Sequence, residues 1–125
     1  MGRYNNNVYE LSANVNDFID VDMGDGTVYD FEVWGECIFE VEPYYDEDWR
    51  KQYADYSISA TSVLDYRLND ILDPNDSVYS NEELKEVFEN LTAEDLKKLN
   101  KAFDDYCYEN EEMIYSTIAD YDFDS

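Results

Sequence analysis

The chain has no histidine and only eight lysine and arginine residues in 125 positions. Without histidine it lacks the commonest general base and a common metal ligand. A nucleophilic serine or cysteine would have no usual proton acceptor. The four glycines form no phosphate-binding loop, and the charge balance would repel a phosphate. Cys37 and Cys107 are isolated, sit in apolar surroundings and fall in no metal or redox spacing. They read as reduced core thiols of a cytosolic protein. No hydrophobic run approaches a membrane span. The start, Met1-Gly2-Arg3-Tyr4-Asn5-Asn6, has no hydrophobic signal segment. Asn6 stands where a myristoylation motif needs Ser or Thr.

Paired carboxylates can serve a glycosidase or a two-metal hydrolase, but among 32 acids some pairs arise by chance. Asp20-Val21-Asp22-Met23-Gly24-Asp25 looks superficially like a calcium loop. Asp25 occupies its sixth position, where glycine is required, and Phe31 its twelfth, where glutamate is required. The reading is therefore of a protein that is not an enzyme, with no catalytic residue, metal or cofactor.

What is present is negative charge. Thirty-two Asp and Glu give a formal charge of −24. Thirteen of them lie between Tyr4 and Trp49 and eight between Ala102 and Ser125, and neither stretch contains a basic residue. Like-charge stretches are commonly disordered, but 44% of residues are apolar and 17% aromatic, enough to form a core. A salt-adapted surface would also be acidic. The abundance of Asn and Tyr, with their AT-rich codons, argues against that origin. A compact body of this length is about 35 Å across, and the same length of duplex DNA carries about 20 charges. Such a field repels nucleic acid and anionic lipid, leaving basic protein surfaces as partners.

One domain is expected over residues 1–125, with a sheet at about 8–72 and helices at about 80–119. Tyr9, Leu11, Ala13 and Val15 alternate with Glu10, Ser12 and Asn14, then Ile19, Val21 and Met23 with Phe18, Asp20 and Asp22. Gly24-Asp25-Gly26 predicts a hairpin joining 17–23 to 27–33. The odd-numbered apolar phase continues from Tyr29 to Val41. An unbroken strand there would be unusually long, so a bend, bulge or second hairpin is expected at Trp34-Gly35. Ile58, Ala60, Leu64, Tyr66 and Leu68 alternate as a further strand, although Leu64, Leu68 and Ile71 would also fit a helix. Ser80–Glu83 and Thr92–Asp95 are capping boxes. The second opens one longer helix with Leu96, Leu99, Phe103, Tyr106, Cys107 and Ile114 on its buried side. The fold class is α+β: an antiparallel sheet of about four or five strands packed by C-terminal helices.

On the even phase of the second run lie Asp30, Glu32, Glu36, Glu40 and Glu42, interrupted only by Trp34 and Ile38. Alternate strand residues advance about 6.6 Å. A wet sheet face ordinarily mixes Lys, Thr and Ser among its acids, because like charges across strands are destabilising. This run contains no basic residue. Tyr44, Tyr45, Asp46, Glu47, Asp48 and Trp49 follow as an aromatic and acidic loop, the chemistry of an interface that binds arginine. Asp104, Asp105, Tyr108, Glu109, Glu111, Glu112 and Tyr115 form adjacent helical stripes, placing acids where a helix C-terminus prefers cations. Together these are the candidate partner-binding residues.

In size, charge, carboxylate blocks such as 30–48 and abundant tyrosine, the chain resembles the small acidic nucleic-acid mimics of phages and mobile elements, including antirestriction and anti-CRISPR proteins. That class shares no fold, so the resemblance transfers no residue by position. It implies a cytoplasmic inhibitor in a bacterial host that occupies the basic channel of a CRISPR effector or restriction enzyme. An acidic adaptor or chaperone that shields a basic partner is the alternative.

Overall fold

The computed structural model describes residues 8–45 and 52–120, with the side chains of 43–45 and 52–54 excepted. Three strands, β1 (Tyr9–Gly24), β2 (Thr27–Tyr45) and β3 (Gln52–Leu72), precede three helices, α1 (Asn81–Glu89), α2 (Ala93–Glu109) and α3 (Glu111–Asp120). The sheet is antiparallel in the order β1-β2-β3. The α+β class and helix-packed sheet stand, but the sheet has three strands instead of four or five. The strands break less often than the expected number requires. Asp17 stays in register opposite Val33, joining the two apolar runs of β1, and β2 passes through Gly35 without a second hairpin.

The β1–β2 hairpin follows the turn chemistry. Asp25 and Gly26 both adopt positive φ, 55° and 77°, as a mirror-image turn requires of its two central residues. Met23 is the extra residue of a bulge beside it. Its carbonyl accepts from Lys98 Nζ of α2 at 3.1 Å.

The irregularity expected at Trp34-Gly35 lies across the sheet, in β3. The register there shifts three times, skipping Ser59, Leu64 and Asn69. The extra residues are five positions apart. Consequently the β3 residues opposite odd-numbered positions 29–41 of β2 are Tyr56, Ile58, Thr61, Val63, Tyr66, Leu68 and Ile71, an alternation of two and three. This mixed spacing explains why the segment fits both strand and helix periods. It also moves two residues from the face that simple alternation assigns them. Ala60 pairs with Ile38 on the other face, and bulge residue Leu64 is 64% exposed. Bulges bend and twist a strand, which accommodates lengths far above the usual 3–10 residues.

One sheet face is covered. Leu11, Ala13, Val15, Ile19 and Val21 of β1, Phe31, Val33, Cys37, Phe39 and Val41 of β2, and Leu68 and Ile71 of β3 are buried with Leu99, Phe103 and Cys107 of α2 and Ile114 of α3. α1 lies shallower, with Phe88 tilted against Tyr66 of β3 at 5.5 Å between ring centroids. Both capping boxes are closed reciprocally, Ser80 with Glu83 and Thr92 with Asp95. The single long second helix is corrected to two. Asn110 caps α2, and its side chain accepts from the Met113 N–H at 3.4 Å, so Ile114 belongs to α3.

Gly35 is the contact point between layers. A Cβ there would overlap the Phe103 ring and lie 2.8 Å from the Ser62 carbonyl oxygen. Neither neighbour is a flexible chain end, so the phenyl ring occupies the space left by a missing side chain. Gly35→Ala should therefore destabilise the fold by about 3 kcal/mol, the upper part of the usual overpacking range. Denaturant melts of Gly35→Ala, Phe103→Leu and the double variant check this. The double variant should lose less than the sum of the two, because both changes act on one space.

Candidate interaction surface

The face opposite the helices is formed by the even-numbered residues of β1 and β2 and their β3 partners. None of the described residues on it is fully buried. Cross-strand register fixes its chemistry. At the hairpin end Asp20, Asp30 and Asp70 line up across all three strands, with Asp22 next to them. At the other end Glu10 opposes Glu40, and Glu42 opposes Asp55. Between them lie Phe18, Glu32 and Arg67; Asn16, Trp34 and Asp65; Asn14, Glu36 and Ser62; and Ser12, Ile38 and Ala60.

Three acids of β2 have partners. Glu32 forms an ion pair with Arg67 and accepts from Asn16 Nδ2 at 3.4 Å. Glu36 accepts from Ser12 Oγ at 3.1 Å. Asp30 accepts from Asn69 Nδ2 at 2.9 Å, the donor being one of the bulge residues. The expectation of a face without relief is thus corrected at its centre. Arg67 is remote in sequence from Glu32 and reaches it only through the β2–β3 register.

Relief is poorer at the ends. Desolvation, together with the charge of Asp30 and a hydrogen bond to it, raises the Asp20 carboxyl above its ordinary 3.8. A like charge on the facing strand disfavours the ionised form of Asp20. Asp73, in the turn after β3, shows the opposite behaviour. The Ser77 N–H, the Tyr79 hydroxyl and the Asn75 N–H stabilise its charge and lower it to about 2.

The helical candidates lie in the other layer. Asp104 accepts from Thr61 Oγ1 of β3 at 2.8 Å, a bond that ties α2 to the sheet. Asp105 faces Lys101 at 3.5 Å on an exposed helix side. Glu109, Glu111 and Glu112 are exposed, as is Tyr108. Tyr115 is 52% exposed but meets Tyr56 edge to face at 5.4 Å. The sheet set, Asp30 to Glu42, and the helical set, Asp104 to Tyr115, therefore occupy opposite layers. Asp46, Glu47, Asp48 and Trp49 lie outside the described residues. Tyr44 and Tyr45 end β2, but their side chains lie outside the description too.

Register adds Glu10, Asp20, Asp22, Asp55, Asp70, Phe18 and Trp34 to the candidate surface. The even phase of Glu10, Asp20 and Asp22 is visible in the sequence. Asp55 and Asp70 reach this face through the bulged pairing of β3, which simple alternation does not reveal.

No family model matches the chain, and no curated protein or solved structure is significantly similar to it. Its surface is the basis for any functional reading. Among the described residues no cluster of three or more acids and cysteines is arranged to hold a metal ion. No described helix is long and apolar enough to cross a membrane. Cys37 and Cys107 are free and buried where β2 meets α2. Burial pushes both thiols up, Cys107 to about 12, which withholds the reactive thiolate at neutral pH.

The raised Asp20 pKa means that the folded state holds this proton more tightly than the unfolded state. Its contribution to stability therefore falls as pH rises above 3.8 through the folded value. Asp73 has the opposite sign: its contribution is present above 3.8 and is lost as pH falls toward about 2. With the overall repulsion added, melting temperature should rise from pH 7 to about 5 and fall below about 4. Asp20→Asn should stabilise by about 0.5 kcal/mol at pH 7, within the range of cross-strand pairs. That gain should vanish near pH 4, measured by thermal melts across the series.

Proposed function

We propose that this chain is a non-enzymatic inhibitor that imitates nucleic acid and occupies the DNA- or RNA-binding channel of a host defence nuclease, a CRISPR effector or restriction enzyme. The observation that carries this reading is the open sheet face. There, carboxylates oppose carboxylates at Asp20, Asp30 and Asp70, at Glu10 and Glu40, and at Glu42 and Asp55, while Arg67 is the basic residue among the described positions of the face. Like charges directly opposed in a sheet disfavour folding. A sequence that keeps them at both ends of its longest exposed surface departs from local stability in favour of the field they create.

The inhibitor works by occupancy. Its carboxylates take the place of phosphates before arginine and lysine side chains, with arginine able to form two parallel hydrogen bonds to each. In a CRISPR effector, the arginines that read the short duplex motif offer such partners. Charge steers the encounter, so association slows as salt screens it over a Debye length of about 10 Å at 0.1 M. The exposed Phe18 ring on the same face adds shape and buried contact, which charge alone cannot supply. On this reading the protein acts in the cytoplasm of a bacterial host.

The immobilised chain should capture a nuclease from a bacterial lysate at low salt and retain less at moderate salt. The captured nuclease should lose DNA or RNA binding in proportion to inhibitor added. A ternary complex with nucleic acid would overturn occupancy and favour the adaptor. Replacing Asp30, Glu32, Glu36 and Glu40 by Asn or Gln should preserve the fold and lower affinity for the captured nuclease at least tenfold. The smallest share of that loss should come from Glu32, which already has the cationic Arg67, whereas Asp30 and Glu36 accept from the uncharged Asn69 and Ser12. Unchanged affinity would make the face merely solvated.

A further inference from the structure

The open face is not a uniform carboxylate ruler. Phe18, Trp34, Ile38 and Ala60 give its middle an apolar character, and Phe18 is 54% exposed. Around them stand the uncharged Ser12, Asn14, Asn16 and Ser62. The middle acids Glu32 and Glu36 are held by Arg67, Asn16 and Ser12, and Asp65 accepts from the Tyr66 N–H. Each end carries four carboxylates, Asp20, Asp22, Asp30 and Asp70 at one and Glu10, Glu40, Glu42 and Asp55 at the other; none of the eight forms an ion pair among the described residues, although Asp30 accepts from Asn69, and Asp22 and Asp70 from backbone N–H groups. The Asp20–Asp30–Asp70 row and the Glu10–Glu40 row are ten residues of β2 apart. At about 3.3 Å per residue this is about 33 Å, and the centres of the two groups are about 38 Å apart along the strand before bending. One turn of duplex DNA, the spacing of half-sites read by a symmetric dimer, is about 34–36 Å.

We propose that this face docks a protein surface with two basic patches one duplex turn apart, separated by an uncharged middle that rests on Phe18, Trp34 and Ile38. This deepens the nucleic-acid-mimic reading and rests on it. Charge complementarity selects the occupant. Four acids at each end require cations opposite them, while Phe18, Trp34 and Ile38 offer apolar contact in a middle where Glu32 is paired with Arg67 and Glu36 accepts from Ser12. A second copy of the chain would bring like-charged ends together. The partner is therefore a protein built to straddle one turn of duplex.

Spacing can be tested without knowing the partner, using labelled peptides in which two tetra-arginine blocks are joined by a polyproline spacer. A spacer of twelve prolines extends about 37 Å and one of four about 12 Å. Fluorescence anisotropy would measure binding of three peptides to the full chain at one ionic strength: two blocks on the long spacer, two blocks on the short spacer, and a single block carrying the long spacer alone. The long two-block peptide should bind at least tenfold more tightly than either other peptide, because it alone engages both ends at once. Asp20→Asn, Asp30→Asn and Asp70→Asn combined should abolish that advantage, whereas Glu82→Gln with Glu86→Gln on α1 should keep it. Equal affinity for the two spacers, or for the single block, would overturn the two-patch geometry. That result would leave the captured nuclease's competition with DNA intact. Absence of that competition would overturn the mimic reading beneath it.

Discussion

The register between β2 and β3 is the constraint on which the rest of the molecule depends. β2 keeps strict alternation, with Phe31, Val33, Cys37, Phe39 and Val41 on one side and acids on the other. β3 stays paired with it by inserting Ser59, Leu64 and Asn69 at five-residue intervals. Each insertion restores the phase of the apolar residues that follow. Without the one at Leu64, each later β3 side chain would change face, because strand periodicity is two. Tyr66 and Leu68 would leave the core, and Asp65 and Asp70 would enter it.

The same register arranges the charges. It brings Arg67 to Glu32 and Asn69 to Asp30, relieving part of an acidic face. It also places Asp70 in line with Asp30 and Asp20, where the third carboxylate adds no relief. Stability comes from the other side of the sheet. There Phe103 sits against Gly35, and Phe31, Phe39, Leu99 and Ile114 are almost wholly excluded from water, each worth roughly 1.5–3 kcal/mol of burial. Polar ties join the layers as well, with Thr61 donating to Asp104 and Tyr106 to Asp17. Burial on one face can therefore sustain repulsion on the other.

A two-layer architecture divides the acids of this chain into two populations. The even-phase acids of β1 and β2 share one face with Asp55, Asp65 and Asp70 of β3, because the register sets them side by side, whereas Asp17 turns to the helical layer. Those of α2 and α3 share the opposite layer, and one of them, Asp104, is a structural acceptor. Helical spacing alone grouped Asp104 with Tyr108, Glu111 and Tyr115. The packing of α2 on β3 separates it from them, since Thr61 lies within hydrogen-bond reach. Tyr115 similarly contributes to an aromatic contact with Tyr56 while remaining half exposed.

By itself the sequence determined the α+β class, the Asp25-Gly26 turn, both capping boxes, the odd-phase core of β1 and β2, and the even phase of Asp30 to Glu42. These features follow from local periodicity and from residues whose backbone preferences act within a few positions. Tertiary structure decided the strand number, the break at Asn110, the fit of Phe103 on Gly35 and the face occupied by each β3 residue. A bulge depends on what the neighbouring strand requires, and a helix contact on distant side chains. The five-residue rhythm of β3 is neither an ordinary strand period nor a helical one, so its meaning appears only when β2 lies beside it.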